Sequence, residues 1–199
     1  NRPDRFKFGT VGPAIPGIDV TIAEDGEILI KGPTVFAGYY RDDEATRAVL
    51  PGDGWLHTGD VGEIDEDGFL TVTDRKKDII VTAGGKNVSP QNIENLLKAI
   101  PWVSQALVIG DRRPYLVALL TLDPDEVSKL DGRRAAEALV AEAVEGVNAD
   151  LASFEQIRRF EILRRDFSPE ENEITPTLKL KRRVVEENFA TELEKLYVD

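Results

Sequence analysis

The stretch DGFLTVTDRKKDIIVTAGGKNVSPQNIE, residues 67–94, contains the transition that decides the fold. Its first part, FLTVTD (69–74), is a β-rich run that follows an Asp-Gly turn, as the second strand of a hairpin does. Its last part begins SPQNIENLLKAI (89–100), where a serine stands as the predicted N-cap and a proline as the first residue of a helix. The charged segment DRKKD (74–78) separates the two patterns, so we predict a boundary near residue 76.

Short strands and turns make up the residues before this boundary. Two hairpins are predicted, one over 18–32 and one over 61–74, because an Asp-Gly turn separates two β-rich runs in each. The segment RDDEATRAVL (41–50) is a predicted short helix, ended by the PGDG sequence that follows it. We therefore expect residues 1–76 to form a β-rich subdomain.

The residues after the boundary combine helices with short strands. Strands are predicted at 105–110, 115–122 and 157–163, and helices at 132–151 and roughly 182–197. The last helix has its apolar residues on one face: Val185, Phe189, Leu193 and Leu196. The fold class is thus predicted to be α+β, with a small mixed domain of short sheets flanked by helices over residues 77–199.

The composition of the chain argues against several classes of function. A formal net charge of -12 argues against nucleic acid as a partner, because nucleic acids are bound through basic patches. The absence of cysteine and the single histidine argue against metal centres, so no metal ligands are expected. No apolar run approaches the ~20 residues of a membrane span, so we expect no integral membrane segment and a cytoplasmic location, with peripheral membrane association left open. Because the chain contains no methionine, we expect it to be part of a longer protein.

The segment WLHTGD (55–60) is a candidate binding loop. Gly59 permits an unusual backbone conformation and is expected to place Asp60 at the mouth of a turn before a strand. The Asp60 carboxylate would there accept hydrogen bonds from two adjacent hydroxyls, as acidic residues do when they bind a ribose. An Asx-type turn, in which Asp60 bonds its own backbone, is the alternative. His57 is expected to have a structural or incidental role in the same loop.

A glycine pair stands in AGGKN (83–87). The segment is not a phosphate-binding P-loop, because that motif needs glycine where Ile80 stands and serine or threonine where Asn87 stands. Paired glycines let the backbone approach another surface closely, and that surface can be a ligand or a neighbouring strand.

The segment ITPTLKLKRR (174–183) places cations where the last helix should begin. Its alternation predicts an extended segment with Leu178 and Leu180 inward and its lysines outward. The positive end of the helix dipole disfavours the three cations predicted there, which are Lys181, Arg182 and Arg183. Two interpretations stay open: a lysine that binds an incoming anion, and a solubilising basic face that offsets the nearby glutamates.

Taken in order, these segments resemble the adenylate-forming (acyl-activating) enzymes, and among them the long-chain fatty acyl-CoA synthetases. The matching segments run nearly from end to end: GTVGPAIPG (9–17), GEILIKGPTVFAGYY (26–40), DGWLHTGD (53–60), DGFLTVTDRKKDIIVTAGGKNVSPQNIE (67–94) and TPTLKLKRR (175–183). The resemblance implies that residues 1–76 are the last subdomain, part of a distorted barrel, of a large N-terminal domain. It implies that residues 77–199 are a mobile C-terminal lid.

In that family a fatty acid and ATP give an acyl-adenylate and pyrophosphate, and the CoA thiol then displaces AMP. The resemblance therefore implies ATP, Mg²⁺ and CoA as the substrates and ion of the full-length enzyme, with none bound by the fragment. The expected partners are ATP or AMP, a fatty acid, CoA and the protein's own N-terminal domain. The phosphate loop and adenine segment of the family are absent from this sequence, so we expect the fragment alone to be inactive.

Functional residues carried over by position begin with the nucleotide site. Asp60 and Arg75 match the residues that contact the AMP ribose. Lys77 falls at the hinge between the large domain and the lid. Each assignment is implied by the resemblance and by the position of the residue in the matching segment.

The lid carries the remaining assignments. Gly84 and Gly85 match the glycines that line the pantetheine tunnel for CoA, and which of the two does so is open because this segment is one residue longer than in many relatives. Lys179 matches the catalytic lysine that contacts the substrate carboxylate and phosphate oxygens during adenylation. Two alternatives remain: a fatty acyl-AMP ligase that delivers to an acyl carrier protein, and a non-catalytic nucleotide- or CoA-binding module.

Overall fold

The computed structural model describes residues 1–130, 133–177 and 179–198, which form two compact units. The first unit comprises Asn1–Ile79, and the second begins at Ile80. Each unit combines helices with strands, and the predicted α+β class is confirmed.

The first unit is built on a four-stranded antiparallel sheet in the order β1-β2-β3-β4. This is a curled half-barrel sheet, and its two register shifts lie in the pairings of β3. Its elements are β1 (Asp19–Ile22), β2 (Glu27–Lys31), α1 (Asp43–Val49), β3 (Leu56–Ile64), β4 (Leu70–Arg75) and a 3-10 helix (Lys76–Asp78). Both predicted hairpins and the helix α1 are confirmed, and the Asp42 carboxylate caps α1 by accepting a hydrogen bond from the Ala45 amide.

Strand β3 corrects the predicted loop before residue 61. The strand already begins at Leu56, so Asp60 and His57 lie in a strand and not in a loop. Opposite it, β2 advances from Leu29 to Glu27 while β3 advances from His57 to Val61, so β3 carries extra residues there. Gly59 has a φ of 71° within this irregularity, a conformation that residues other than glycine rarely adopt. A bulged strand therefore replaces the predicted turn.

The second unit contains a two-stranded sheet (β5-β6) and a three-stranded sheet in the order β7-β8-β9. Strands β7 and β8 are antiparallel, and β8 and β9 are parallel because two helices connect them. The strands are β5 (Ile80–Val81), β6 (Asn87–Val88), β7 (Val103–Ile109), β8 (Leu116–Leu122) and β9 (Ile157–Ile162). The helices are α2 (Pro90–Lys98), α3 (Pro124–Val127), α4 (Arg133–Ala149), α5 (Arg182–Asn188) and α6 (Ala190–Lys195).

Two apolar clusters pack on opposite faces of the three-stranded sheet. Leu116, Ala118 and Leu120 of β8 belong to the cluster that includes side chains of α2 and α4. Val117 and Leu119 belong to the other cluster, which includes side chains of α5 and α6. Because successive side chains of a strand point to opposite faces, β8 contributes to both clusters and is buried throughout this run.

The last helix is not continuous, contrary to the prediction. It breaks at Phe189, whose backbone leaves the helical region at φ -111° and ψ 25°. Phe189 stacks edge-on against Phe167, and the Arg165 guanidinium lies 5.1 Å from the Phe189 ring centre. The predicted apolar face is confirmed, since its four residues are buried in or packed against the second cluster.

Helix α3 is a second difference, because it was not predicted from the sequence. Among the described residues, no helix has the length and apolar character needed to cross a membrane.

Candidate functional site

Asp60 and Arg75 occupy directly opposed positions of β3 and β4. Their side chains form an ion pair, with 2.9 Å between Arg75 Nε and Asp60 Oδ1, and the Arg75 side chain is half exposed. A carboxylate that accepts and a guanidinium that donates can together bind vicinal hydroxyls. The structure thus brings the two residues of the predicted ribose site together, while their role stays a prediction.

The buried carboxylate of Glu27 holds the backbone next to Asp60 in place. Its Oε1 accepts the Gly59 amide at 2.8 Å, and its Oε2 accepts the Lys76 ammonium at 2.8 Å. Burial raises the pKa of Glu27, but hydrogen bonds from Lys76, Gly59 and His57 outweigh this effect and lower the pKa overall. The role of Glu27 was not predicted from the sequence. A charged residue at an inward position of the predicted strand EILIK was the available signal.

His57 extends the same network toward the surface. Its Nδ1 lies 3.2 Å from Glu27 Oε2, and its Nε2 lies 3.0 Å from Asp53 Oδ2. The hydrogen bond to Asp53 raises the pKa of His57 above its ordinary value, burial opposes this rise, and Glu27 adds to it. The ring therefore connects two acids of the first unit, which is consistent with the structural role expected for it.

Lys77 lies in the 3-10 helix at the end of the first unit. Its side chain is exposed, whereas the preceding Lys76 is held by Asp25 at 2.7 Å and by Glu27. Lys76 is therefore fixed by ion pairs, whereas the next residue, Lys77, has an exposed side chain. The hinge assignment of Lys77 and the domain boundary at 76–77 remain predictions.

Gly84 and Gly85 form the exposed turn between β5 and β6. A Cβ at Gly85 would meet no atom within 4 Å, and one at Gly84 would meet only Thr82 Oγ1 at 3.8 Å. Neither glycine is therefore needed for close approach to a neighbouring strand. Gly85 has a φ of 74° and donates its amide to Thr82 O at 2.8 Å, so the turn itself requires glycine at this position.

Three hydrogen bonds connect β5 and this turn to the loop between β7 and β8. The Ala83 amide donates to Arg113 O at 2.9 Å, and the Arg112 amide donates to Val81 O at 2.8 Å. The Val81 amide donates to Asp111 Oδ1 at 3.1 Å. The glycine turn is thus supported on one side, while both glycines remain exposed.

Lys179 is exposed in a loop closed by its own backbone. The Thr175 amide donates to Lys179 O at 2.8 Å, and the Lys179 amide donates to Thr175 Oγ1 at 3.0 Å. Leu180 packs against the second apolar cluster, as predicted, whereas Leu178 lies outside the described residues. The Lys179 ammonium makes no ion pair with any described residue.

The three cations that follow bind groups within the protein. Lys181 donates to Asn172 Oδ1, Arg182 pairs with Glu94 at 2.6 Å, and Arg183 pairs with Glu187 at 2.9 Å. Arg182 is therefore fixed in a largely buried ion pair, which a purely solubilising basic face does not explain.

Within the described ranges, no group of three or more histidine and acidic side chains could hold a metal ion.

Comparison with known proteins gives a consistent result. The profile of the family described as AMP-binding enzyme C-terminal domain matches residues 77–199. The long-chain-fatty-acid–CoA ligase FadD15 of Mycobacterium tuberculosis is 47% identical over an alignment of 207 positions. The alignment covers 96% of this chain and 34% of that protein.

Solved structures of similar fold come from carboxylic acid reductases. The adenylation domain of the enzyme from Mycobacterium chelonae has a TM-score of 0.79 and 28% identity, covering 94% of this chain and 32% of that one. The A-PCP didomain of the Segniliparus rugosus enzyme, in complex with AMP, has a TM-score of 0.78 and 26% identity, covering 94% and 28%.

The α+β fold and the match to the family profile define a member of the adenylate-forming superfamily, which confirms the predicted resemblance. Within this superfamily, the chain belongs to the AMP-binding enzyme C-terminal domain family. The chain spans about a third of the length of the curated relatives that it matches.

Proposed function

We propose that the protein containing this chain is an ATP-dependent long-chain fatty acid–CoA ligase. The observation that carries the proposal is the match to FadD15, which is 47% identical and extends over 96% of the chain. The exposed Lys179 ammonium and the Asp60–Arg75 pair provide the groups that such a reaction needs.

The first half-reaction joins two anions. A carboxylate oxygen of the fatty acid attacks the α-phosphorus of ATP, the bond from this phosphorus to the bridging oxygen breaks, and pyrophosphate leaves. The Lys179 ammonium would lie beside the carboxylate and α-phosphate oxygens, where a positioned cation offsets their repulsion and the charge of the transition state. Mg²⁺ would enter with the ATP phosphates, because this ion is commonly bound through substrate phosphates.

Asp60 and Arg75 would fix the nucleotide during this step. The Asp60 carboxylate accepts hydrogen bonds from the two ribose hydroxyls, and the Arg75 guanidinium donates to the same sugar. This arrangement orients the α-phosphorus toward the attacking oxygen, and correct orientation of reactants is a large part of catalysis.

The second half-reaction would use the glycine turn of the second unit. The CoA thiol attacks the acyl carbonyl of the adenylate, the bond to the AMP phosphate oxygen breaks, and AMP leaves. We assign residues 77–199 to a lid that turns at Lys77, withdraws Lys179 and presents the turn of Gly84 and Gly85 to pantetheine. The open space around both glycines supports this assignment.

Half-reaction assays of the full-length protein test the proposal. With a long-chain fatty acid, ATP and Mg²⁺, pyrophosphate should be released, and addition of CoA should give acyl-CoA. Lys179→Ala should abolish most adenylation while sparing thioester formation from preformed acyl-adenylate, and Arg183→Ala is the matched control. Transfer to a holo acyl carrier protein with no transfer to CoA would establish the acyl-AMP ligase instead. Equal or no loss in both half-reactions would indicate a binding module.

A further inference from the structure

Two ion pairs, each with a buried carboxylate, hold the two ends of the loop that carries Lys179. The loop is closed by an isolated bridge between Ile174 and Leu180 and by the Lys181 amide, which donates to Glu173 O at 2.7 Å. Its tip is exposed, so its position depends on what fixes its ends. Both ends are fixed by charged side chains, and neither belongs to the proposed reaction site.

Glu173 fixes the first end. Its carboxylate is fully buried and forms a two-point ion pair with Arg165, at 2.7 and 2.8 Å. The Ser168 amide and Asn188 Nδ2 also donate to it, each at 3.0 Å. A buried carboxylate with all these partners has one low-energy position, and so does the chain at Glu173.

Arg182 fixes the second end. Its guanidinium donates to Glu94 Oε1 at 2.6 Å and to Val108 O at 2.5 Å. The same Glu94 oxygen accepts the Val108 amide at 2.8 Å, so helix α2, strand β7 and the first residue of α5 meet at one point. This pairing also explains why an arginine stands at a helix start, where the dipole disfavours it, because its partner is a buried carboxylate.

We propose that Glu173 and Arg182 are positioning residues, which hold the Lys179 loop in one conformation so that the ammonium reaches the adenylation site at a fixed position. This inference rests on the proposed function. Neither residue contacts substrate in the proposal, and each acts only through Lys179. A cation stabilises a transition state only when its geometry is fixed in advance, so loosening either end should slow adenylation.

The test uses a charge-neutral change, because removal of Arg182 alone would leave Glu94 buried and unpaired. In the variant Glu94→Gln/Arg182→Met, the glutamine oxygen can still accept the Val108 amide. Adenylation by the full-length protein should fall by about 100-fold, the cost expected for a misplaced catalytic group. Thioester formation from preformed acyl-adenylate should be unchanged. Arg183→Met, which alters the exposed neighbour, is the control and should leave both half-reactions unchanged.

A combination with Lys179→Ala decides whether the effect passes through the lysine. If it does, adding Glu94→Gln/Arg182→Met to Lys179→Ala should cause no further loss of adenylation. A further loss of similar size to that of Glu94→Gln/Arg182→Met alone would overturn the proposal, and so would an equal fall in both half-reactions.

Hydrogen exchange in the chain itself separates this inference from the proposed function. The Thr175 and Lys181 amides, which are hydrogen-bonded across the loop, should exchange about tenfold faster in Glu94→Gln/Arg182→Met while the amides of β8 stay protected. Unchanged exchange would overturn the positioning role even in an active ligase. If the wild-type protein forms no acyl-adenylate, the proposed function fails, and the exchange result still decides whether the ion pair fixes the loop.

Discussion

Arg75, the last residue of β4, faces Asp60 across the sheet with 2.9 Å between Nε and Oδ1. The arginine immediately precedes the 3-10 helix at the end of the first unit. The pair therefore lies at the end of the sheet. Replacing either residue should weaken nucleotide binding more than it destabilises the fold.

Asp60→Asn should weaken AMP binding by the full-length protein about tenfold or more, because hydrogen bonds to a charged group contribute about 1.5–3 kcal/mol each. Isothermal titration of AMP into the variant measures the change. Glu63→Gln, an exposed acid on the same strand, is the matched control. Equal affinity of Asp60→Asn and wild type for AMP would remove Asp60 from the ribose site.

Glu27→Gln should destabilise the first unit by about 1–3 kcal/mol, the cost of leaving a buried hydrogen-bonding group without its partner. The change removes the charge that Lys76 and His57 share, and it leaves an amide nitrogen facing one of these cations or the Gly59 amide. Urea denaturation followed by Trp fluorescence measures the loss. The same exposed change, Glu63→Gln, should have little effect on the free energy of unfolding, and a similar value for both variants would contradict the network.

The stability of the first unit should fall as the pH rises above about 6.5. The folded pKa of His57 is raised above its unfolded value, so the charged ring stabilises the fold fully below the unfolded pKa, and this contribution is lost as the pH passes the folded pKa. Denaturation midpoints between pH 5.5 and 8.5 should show this slope in the wild type. His57→Gln should reduce it, and a slope that survives the substitution would assign the effect to another group.

Substitutions at the glycine turn should separate structure from acyl transfer. Gly85→Ala should cost about 1–2 kcal/mol of stability, because an L-residue is strained at a φ of 74°. Gly84→Leu should leave stability nearly unchanged, since the side chain enters open space, and should slow thioester formation without slowing adenylation. Thermal melts and the two half-reaction assays measure these effects. Normal thioester formation by Gly84→Leu would exclude Gly84 from the pantetheine path.

The sequence predicted those elements whose signals are local. Asp-Gly turns define both hairpins, and Ser89 with Pro90 marks the start of α2. The start of β3 was missed because a bulge around Gly59 interrupts the alternation expected of a strand. The break at Phe189 was also missed; Phe189 packs there against Phe167 and Arg165, contacts that a local sequence pattern does not contain.

The same holds for the candidate residues: local motifs predicted some roles, and contacts between residues distant in the sequence determine the others. The resemblance assigned Asp60 and Arg75 to the same ribose site, but the register of β3 and β4 that places them face to face was not predicted. The role of Arg182 could not be predicted, because its partner Glu94 is far away in the chain and sits on another helix. Motif positions therefore identify the groups that act, whereas the groups that hold them become visible only in the fold.

The burial of β8 has a mechanical consequence. The strand has neighbours on both edges and apolar clusters on both faces, and every buried member of those clusters lies at or beyond Ile80. Such a unit keeps its core packing intact when it is displaced as a rigid body. In the lid movement proposed above, the free energy would then be set by surface contacts and the connecting backbone, and the unit need not loosen its interior to turn.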